Sequence, residues 1–374
     1  MKAENKTYTF GVVDLFCGIG GLSYGLKEAG LDIIAGLDIN DKCRFSYESN
    51  NKATFITSDL TQYSSKKVDE LFNDSKFKIL VGCAPCQPFS RYAKRYQKEG
   101  LLYDKELGNK EKKDRYYLID EFLRIIKDIS PDVVSLENVP GIEKEKVFEK
   151  FISDLAKFGY FVTYKIVYCP DYGVPQKRKR LVLLASKLGE IELIEPTHSP
   201  NSYVTVRDAI SGLPSIVAGQ SNDSDSMHRS AKLSSINVKR IKQSKQGGTW
   251  RDWDENLRLK CHIKDSGKSY PSVYGRMEWD KPSPTITTQF YGYGNGRFGH
   301  PEQDRALSFR EGAILQSFPE KYIFVENSEE TVINSRDLGI QIGNAVPPKL
   351  GEAIGRSILK HLEGFGDEQR TRTN

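Results

Sequence analysis

The feature that most constrains the fold of this 374-residue chain is the alternation of apolar strands with amphipathic helices in its first half. Buried strands are predicted at residues 9–16, 33–38, 54–57, 79–83, 132–136, 163–168 and 181–185. Residues 116–129 have one apolar face and predict a helix between strands. Leu22 and Leu26 recur at helical spacing before Gly30, a typical helix-ending glycine. This alternation predicts an α/β fold with a mostly parallel sheet covered on both faces.

Composition narrows the class of protein. Hydrophobic residues make up 38% and charged residues 28% of the chain, and the mean hydropathy is −0.52. No stretch approaches the ~20 apolar residues that a membrane span needs. The first nine residues are polar and have no apolar signal-peptide core. The six cysteines are too few for a disulfide scaffold, so we expect reduced thiols in a cytoplasmic protein without membrane contact.

The pattern changes after about residue 200. Residues 199–235 are rich in Ser, Asp, Asn and Gly, and residues 228–268 hold eleven Lys/Arg against four acids. That local excess of seven exceeds the net +5 of the whole chain. We predict an α/β core over 1–200, a basic irregular lobe over 201–334 with a flexible aromatic loop at 291–297, and a return to the core over 335–374. The return is expected to contain a final helix at 350–362.

A glycine turn follows the first strand. Residues 14–21 read Asp-Leu-Phe-Cys-Gly-Ile-Gly-Gly, and glycines there let a ligand approach the backbone at a helix N-terminus. Asp38 follows about 20 residues later, where a ribose-binding acid is expected. Ser23 replaces the third glycine of a dinucleotide fingerprint, which favours a smaller adenosine-type ligand. A tight structural turn is the alternative. Asp59 is suited either to an adenine amino group or to a helix N-cap.

Two cysteines follow the fourth strand. Cys86, between Pro85 and Gln87, is placed as a nucleophile at the ligand-binding edge of the sheet. Cys83 and Cys86 also form a C-x-x-C pair. Zinc is disfavoured because the only further Cys-His pair is Cys261-His262. A redox pair is disfavoured because Cys83 lies at the strand end, and we interpret Cys83 as a packing residue.

Polar residues also flank the fifth and seventh strands. Glu137 could exchange a proton with a heterocycle or cap the next turn. Gln176, Arg178 and Arg180 alternate, and in an extended segment they would present two guanidinium groups to one anionic ligand. A basic edge strand is the alternative interpretation.

Together these residues resemble the DNA (cytosine-5) methyltransferase family of bacterial restriction-modification systems. The family's motifs occur in order at 14–21, 85–87, 137–139, 176–180, 284–287, 310–319 and 343–348. The resemblance implies a Rossmann-like core that binds S-adenosyl-L-methionine, and a smaller irregular domain that recognises DNA. It identifies 1–200 as the catalytic domain and 201–334 as the target-recognition domain.

The resemblance also implies residue roles. The Cys86 thiolate would attack carbon 6 of a flipped-out cytosine, Glu137 would hold or protonate nitrogen 3, and Arg178 would assist at the base carbonyl. Arg180 and Gln87 complete the implied catalytic set. Carbon 5 would take the methyl group, leaving S-adenosyl-L-homocysteine, before proton loss and elimination free the cysteine. The implied cofactor contacts are Phe16, Gly18, Gly20, Gly21, Asp38, Ile39, Asp59, Leu60, Pro85, Asn344 and Val346.

The resemblance further implies that DNA lies in a cleft between the core and the basic lobe. The expected DNA contacts are Ser90, Arg91, Arg240, Lys245, Arg251, Arg276 and Arg297. Residues 89–115 form a long basic connection, which we interpret as a mobile loop that closes over the flipped base. We expect a monomer on double-stranded DNA in the bacterial nucleoid, no metal, and a cognate restriction endonuclease acting separately.

Three other functions compete with this interpretation. An RNA (tRNA) cytosine-5 methyltransferase would share the core and the nucleophile motif. A non-catalytic DNA-binding protein is disfavoured by the intact Cys86, Glu137 and Arg178. A nicotinamide-dependent oxidoreductase is disfavoured by the Gly-x-Gly-Gly spacing and Ser23.

Overall fold

The computed structural model describes residues 10–73, 75–85, 117–264, 267, 271–326 and 334–371. Within them, one sheet contains the strands β1 (Phe10–Leu15), β2 (Asp32–Asp38), β3 (Thr54–Thr57), β4 (Phe77–Gly82), β5 (Val133–Asn138), β6 (Phe161–Tyr168) and β7 (Lys179–Ser186). Every predicted strand is present, with its ends within two residues of the prediction.

The order across the sheet is β3-β2-β1-β4-β5-β7-β6. All neighbouring pairs are parallel except those of β7, which runs antiparallel to both β5 and β6. The predicted mostly parallel α/β sheet is therefore confirmed. Its central strands are near-continuous apolar runs, as strands covered on both faces require. Ile79, Leu80 and Val81 of β4, for example, are fully buried.

The described helices are α1 (Gly21–Glu28), α2 (Arg44–Asn51), α3 (Ser65–Leu71), α4 (Tyr117–Ile129), α5 (Lys146–Lys157), α6 (Val206–Ile210), α7 (Ser235–Gln243), α8 (Lys260–Ile263), α9 (Phe309–Leu315), α10 (Ser335–Asn344) and α11 (Pro348–Thr371). The predicted helix at 116–129 is α4, whose Phe122, Ile125 and Ile126 are buried in the core of the sheet. The predicted final helix is present but longer than expected. None of the helices in the described part of the chain is long and apolar enough to cross a membrane.

Two compact units divide the chain. The first consists of Met1–Tyr168, Lys179–Glu195 and Leu350–Asn374, and the second of Cys169–Arg178 and Pro196–Lys349. The first unit therefore contains the sheet, and the second contains the irregular basic region. The segment Cys169–Arg178 belongs to the second unit although it lies between two strands of the first.

An aromatic cluster forms a core of the second unit. It buries Trp250, Trp253 and Tyr293 together with Ile241 and other apolar side chains. The Tyr293 hydroxyl lies 2.7 Å from the Ser244 Oγ, within hydrogen-bond distance. The expected loop at 291–297 is therefore anchored at Tyr293, because burying that ring removes apolar surface from water.

Candidate active site

The carboxyl ends of neighbouring parallel strands meet at one edge of the sheet. Leu15 of β1 pairs with Leu37 of β2 and with Gly82 of β4. Asp38 of β2 pairs with Thr57 of β3. The chain proceeds outward from β1 to β3 and then starts β4 on the other side of β1, so the strand order reverses between β1 and β4. Open α/β sheets bind ligands at such a reversal.

The turn from β1 to α1 contains three left-handed residues. Phe16, Gly18 and Gly20 have φ of 61°, 51° and 84°. A Cβ on Gly20 would lie 2.2 Å from the Asn51 Nδ2, so glycine is required there. A Cβ on Gly18 would meet nothing within 4 Å, so the backbone at that position faces open space. The turn leads into Gly21, whose N–H is among the first of α1 and has no intrahelical acceptor.

Asp38 lies directly against this turn. Its Oδ2 accepts a 2.9 Å hydrogen bond from the Gly18 N–H, and its Oδ1 accepts a 2.8 Å bond from the Asn40 N–H. The next residue, Ile39, is 70% exposed. An exposed apolar side chain beside a carboxylate suits a ligand that has both a flat apolar part and hydroxyl groups.

The third strand supplies the next two predicted ligand residues. Asp59 is half-buried, and its Oδ1 accepts hydrogen bonds from the Thr61 N–H at 3.0 Å and the Thr61 hydroxyl at 2.8 Å. It therefore stabilises a turn and does not cap an α-helix. Leu60 is buried in the core of the sheet, and its carbonyl accepts a 2.9 Å bond from Arg124. The Leu60 side chain is therefore part of the core of the sheet.

Asp14 lies beneath the glycine turn and is buried. The Ser23 hydroxyl donates a 2.6 Å hydrogen bond to the Asp14 Oδ2 and lies 3.1 Å from the Tyr47 Oη. The Asp14 Oδ1 has no hydrogen-bond partner among the described residues. Burial, reinforced by the charge of Asp38, raises the pKa of Asp14 to about 7 despite the Ser23 hydrogen bond.

Glu137 is a buried carboxyl group near the carboxyl end of β5, at the same edge of the sheet. In the parallel register Leu136 of β5 pairs with Gly82 of β4, which brings Cys83 beside Glu137. The Cys83 thiol donates a 2.8 Å hydrogen bond to the Glu137 Oε2. On the opposite side, the Arg180 Nε forms a 2.7 Å ion pair with Oε1. Oε1 nevertheless accepts no hydrogen bond from the described residues, because the Arg180 N–H is not directed at it.

The sequence predicts that Arg178 and Arg180 present their guanidinium groups to one anionic ligand, and in the structure the two groups have different protein partners. Arg178 is 3% exposed, and its guanidinium donates to the Ile286 carbonyl at 3.1 Å and the Gly343 carbonyl at 3.2 Å. Arg180 instead lies in β7 and pairs with Glu137. The segment before β7 belongs to the second unit, so its polar side chains bond there while Arg180 returns to the sheet.

Gln176 joins Arg178 in the second unit. Its Oε1 accepts a 2.8 Å hydrogen bond from the Ile286 N–H, and its Nε2 donates to the Gln316 Oε1 at 2.6 Å. Gln316 in turn donates to the Ile342 carbonyl at 2.8 Å. These buried bonds join four segments that are distant in sequence, which gives Gln176 and Arg178 structural roles.

Comparison with known proteins decides the family. The family described as C-5 cytosine-specific DNA methylase matches residues 10–360. The chain belongs to this family. It is 48% identical over 364 residues to the type II methylase M.HgiDII of Herpetosiphon aurantiacus, covering 96% of this chain and 98% of that protein. It is 32% identical to the type II methyltransferase M1.HphI of Haemophilus parahaemolyticus, covering 93% and 86% of the two chains.

A solved structure supports the fold of this DNA methylase. The Entamoeba histolytica methyltransferase EhMeth matches with a TM-score of 0.61 and 17% identity, covering 95% of this chain and 99% of that one. The expected methyltransferase fold is confirmed. The methylase transfers a methyl group from S-adenosyl-L-methionine to carbon 5 of cytosine in DNA. The family's substrate is DNA, which decides against the RNA and oxidoreductase alternatives.

Several residues that the methylase motifs single out lie outside the described residues. They are Cys86, Gln87, Ser90 and Arg91, together with the connection at 89–115. Pro85 is described and is exposed at the end of the segment after β4. The predicted closing loop and the nucleophile therefore stay predictions.

Two predicted cofactor residues belong to the methylase's second unit. Asn344 is the last residue of α10 and is exposed, whereas Val346 is 5% exposed. The backbone around them is held by Gln316, whose Nε2 lies 3.4 Å from the Gly343 carbonyl and 3.3 Å from the Ala345 carbonyl. Apart from the place of Gln316 in the 310–319 motif, no feature of the sequence predicts this role.

Two of the predicted DNA contacts are buried structural residues. Arg240 is 8% exposed and donates a 2.9 Å hydrogen bond to the Leu257 carbonyl. Arg276 is 5% exposed and donates to four backbone carbonyls, including those of Ser244 and His300 at 2.9 Å, while pairing with Asp304. Because these bonds use their guanidinium groups inside the unit, we remove both from the expected DNA contacts.

Other predicted DNA contacts are more accessible. Lys245 and Arg251 are exposed, and the Arg251 guanidinium lies 5.5 Å from the Trp250 ring. Arg297 is half-buried and donates a 2.6 Å hydrogen bond to the Gly248 carbonyl. Burial lowers the pKa of Arg297. Lys245 and Arg251 are thus better placed than Arg297 to meet a phosphate in water.

No group of three or more His, Cys, Asp or Glu side chains in the described residues could hold a metal ion. Cys261 is exposed, whereas His262 is buried and stacked on Trp250 with ring centroids 4.3 Å apart. Cys261 and His262, the only adjacent Cys-His pair in the sequence, therefore differ in exposure: the cysteine is exposed and the histidine is buried.

Proposed function

We propose that Glu137 is the group of this DNA methylase that binds the ring of the target cytosine. The observation that carries this proposal is the Glu137 Oε1, a buried acceptor that receives no hydrogen bond from the described residues. Leaving a buried acceptor without a hydrogen bond costs about 1–3 kcal/mol, which favours a ligand that supplies a donor. A cytosine protonated at nitrogen 3, or its amino group, is such a donor.

Arg180 is the proposed partner of Glu137 at the base. Its guanidinium lies 2.7 Å from the Glu137 Oε1, and 14% of its side chain is exposed. A guanidinium has five N–H donors in a fixed plane, so the remaining donors can meet the carbonyl of the same base. We assign to Arg180 the contact with the base carbonyl first expected of Arg178, because Arg178 bonds to backbone carbonyls of the second unit.

Cys86 is the proposed nucleophile, on the basis of the Pro-Cys-Gln motif. Its position two residues after Ala84 is consistent with this role, since the Asn138 Nδ2 donates to the Ala84 carbonyl at 3.3 Å and joins the segment after β4 to the end of β5. A thiolate there would add to carbon 6 while Glu137 holds or protonates nitrogen 3. Carbon 5 would then take the methyl group of the cofactor. A base would remove the carbon 5 proton, and elimination would release the Cys86 thiolate.

The residues after β1 and β2 fit S-adenosyl-L-methionine. Gly18 offers open space where a side chain would stand, Asp38 offers a carboxylate to ribose hydroxyls, and Ile39 offers an apolar surface to adenine. When bound, this cofactor supplies an electrophilic methyl group. Phe16, Gly20 and Gly21 would shape the turn, and Asp59, Leu60, Pro85, Asn344 and Val346 are the further proposed contacts.

DNA phosphates are the proposed partners of Lys245 and Arg251, with Ser90 and Arg91 nearer the flipped base. Lysine and arginine on an exposed surface bind duplex DNA by displacing counterions. We further propose that the methylase acts as a monomer in the bacterial cytoplasm, on nucleoid DNA. The type II names of its relatives support a restriction-modification system in which a separate endonuclease cuts unmodified sites.

Base-resolution sequencing of 5-methylcytosine tests the assignment. Host DNA from cells that express the chain is compared with DNA from cells that express Cys86→Ala or Glu137→Gln. We expect one methylated sequence motif with the intact chain, none with Cys86→Ala, and strongly reduced methylation with Glu137→Gln. Methylation that persists in Cys86→Ala would disprove the nucleophile, and full methylation with Glu137→Gln would disprove the role of the carboxyl group.

A further inference from the structure

The thiol of Cys83 contacts the carboxyl group that the proposed function places at the base. Cys83 follows directly after β4 and its Sγ lies 2.8 Å from the Glu137 Oε2. The contact is a consequence of the β4–β5 register, in which Gly82 pairs with Leu136. Paired residues of parallel strands project their side chains to the same face, so residues 83 and 137 meet wherever that register extends by one position.

The two oxygens of Glu137 have different surroundings. Oε2 accepts the thiol hydrogen bond from the β4 side, and Oε1 faces the Arg180 guanidinium from the β7 side. The sheet order places β5 between β4 and β7, so the carboxyl group is restrained from both flanks. Only Oε1 lacks a hydrogen bond from the described residues.

We propose that Cys83 is a positioning residue for methyl transfer. The inference depends on the proposed role of Glu137. By occupying Oε2, the thiol fixes the plane of the carboxyl group and directs Oε1 toward the base. Without this donor the carboxyl group can turn about its last bond, so that Oε1 leaves the productive direction. Rotation of this kind reduces the rate of a step that needs a defined hydrogen bond, whereas binding of the cofactor and of DNA is unaffected.

The chemistry of the thiol suits this role. A thiol is a weak, uncharged donor, so it orients a carboxylate while stabilising its charged form less than a cation would. A carboxylate has about four acceptor positions, and the thiol uses one of them. Enough capacity therefore remains for a base. A serine hydroxyl could donate in the same direction, because its shorter C–O bond moves the donor only roughly a few tenths of an ångström from the 2.8 Å contact and keeps it near hydrogen-bond distance.

Single-turnover methyl transfer with pre-bound DNA and radiolabelled S-adenosyl-L-methionine tests the proposal. The variants are Cys83→Ala, which removes the donor, Cys83→Val, which retains apolar volume without a donor, and Cys83→Ser, which restores one. Cys261→Ala, at an exposed cysteine of the second unit, is the control. Melting temperatures and the dissociation constants for DNA and cofactor are measured for each protein.

The expected rates separate positioning from packing. Cys83→Ala and Cys83→Val should slow methyl transfer by about 5- to 10-fold, the equivalent of one net hydrogen bond, with both dissociation constants within about twofold of wild type. Cys83→Ser should recover most of the rate. A wild-type rate in Cys83→Ala, or a stably folded Cys83→Ser as slow as Cys83→Ala, would overturn the proposal. If the alanine variant melts below the assay temperature, the comparison of valine with serine decides.

The methyl-transfer rate of Glu137→Gln, compared with that of the wild-type enzyme, distinguishes a failure of this inference from a failure of the proposed function. If Glu137→Gln transfers methyl groups as fast as wild type, the proposed role of Glu137 fails, and the positioning role fails with it. If Glu137→Gln is slow while Cys83→Ala is fast, only the role of Cys83 fails.

Discussion

The Ser23 hydroxyl donates a 2.6 Å hydrogen bond to the Asp14 Oδ2 and thereby joins helix α1 to strand β1 beneath the glycine turn. Both side chains are buried, with Asp14 1% and Ser23 0% exposed. Ser23 stands where a dinucleotide fingerprint has its third glycine, whose usual role is close packing of the helix on the strand. Here the Ser23 hydroxyl makes a polar contact in place of that close packing. This hydrogen bond lowers the energetic cost of burying the Asp14 carboxyl group.

Asp14→Asn should remove a pH dependence of stability. Burial raises the pKa of Asp14 to about 7 in the folded protein, against 3.8 for the ordinary group. Between these values the unfolded chain releases the proton and the folded protein keeps it, so wild-type stability falls as pH rises from 4 to 7. The fall is at most about 1.4 kcal/mol per pH unit. Asparagine has no proton to lose and should not show it.

Urea unfolding of both proteins at intervals from pH 4 to pH 8 measures this effect. The free energy of unfolding of Asp14→Asn, relative to wild type, should increase with pH up to about 7 and then level off. Asp32→Asn, at the half-buried start of β2, serves as the control. A difference between Asp14→Asn and wild type that does not change with pH would contradict the prediction.

His300 should give the opposite pH dependence. Burial lowers the pKa of His300 to about 4, although the charge of Glu311 opposes this. Between pH 6.5 and pH 4 the unfolded chain binds a proton that the folded protein does not, so this contribution to stability is lost as pH falls. The His300 Nδ1 accepts hydrogen bonds from the Glu302 and Gln303 N–H groups at 3.2 and 2.9 Å. Asparagine can accept similar bonds without titrating in this range.

Thermal unfolding of His300→Asn from pH 7 to pH 4 checks the expectation. The variant should lose less stability than wild type over this range, and the two proteins should differ most at the acidic end. His198→Asn, at a half-buried histidine, is the control. Parallel losses in wild type and His300→Asn would show that this histidine does not contribute.

The sheet could be predicted from the sequence because short stretches of neighbouring residues are enough to indicate each strand. Apolar runs such as Ile79–Val81 bury both faces of a strand, and the glycine turn after β1 requires left-handed residues that few other sequences supply. Family motifs then located the candidate site. The strand ends lie within two residues of the prediction, and they differ where a strand continues into polar residues, as β5 does at Glu137 and Asn138.

The partners of polar side chains could not be predicted in the same way. Arg178 and Arg180 are two residues apart, yet one bonds within the second unit and the other pairs with Glu137 in the first. Arg276 belongs to the basic stretch by composition, but it donates to buried carbonyls. Which guanidinium is buried depends on carbonyls brought together by folding, and local sequence contains no signal for them. The β4–β5 register could have shown that Cys83 meets Glu137.

Arg180 and Arg178 should respond differently to conservative substitution. Arg180→Lys retains the charge beside Glu137 but loses the planar donor set, so methyl transfer should slow by at least about tenfold with little change in melting temperature. Arg178→Lys should instead lower the free energy of unfolding by about 2–4 kcal/mol, because the Ile286 and Gly343 carbonyls lose donors. Steady-state kinetics and urea unfolding of both variants distinguish these outcomes. If both variants lose the same activity and Arg178→Lys keeps the stability of wild type, Arg178 also contacts the base.

Exposure should decide which basic residues of the second unit bind DNA. Lys245→Ala and Arg251→Ala should each weaken binding at low salt and reduce the slope of log affinity against log salt by about 0.9, one phosphate contact apiece. Fluorescence anisotropy measures the affinity and its salt slope. The duplex contains the sequence motif that the enzyme methylates, and the salt concentration is varied from about 50 to about 300 mM. Arg276→Met should instead destabilise the unit, because its buried carbonyls lose their donors.

Lys66→Ala is the control for these DNA measurements, since Lys66 is an exposed lysine on α3 of the first unit. Its salt slope should equal that of wild type. If Lys245→Ala and Arg251→Ala leave the slope unchanged, phosphates are bound elsewhere on the methylase. A residue whose donors are all used inside the protein cannot displace counterions from DNA. If a folded Arg276→Met protein nevertheless shows a salt slope smaller by about 0.9, Arg276 is a DNA contact after all.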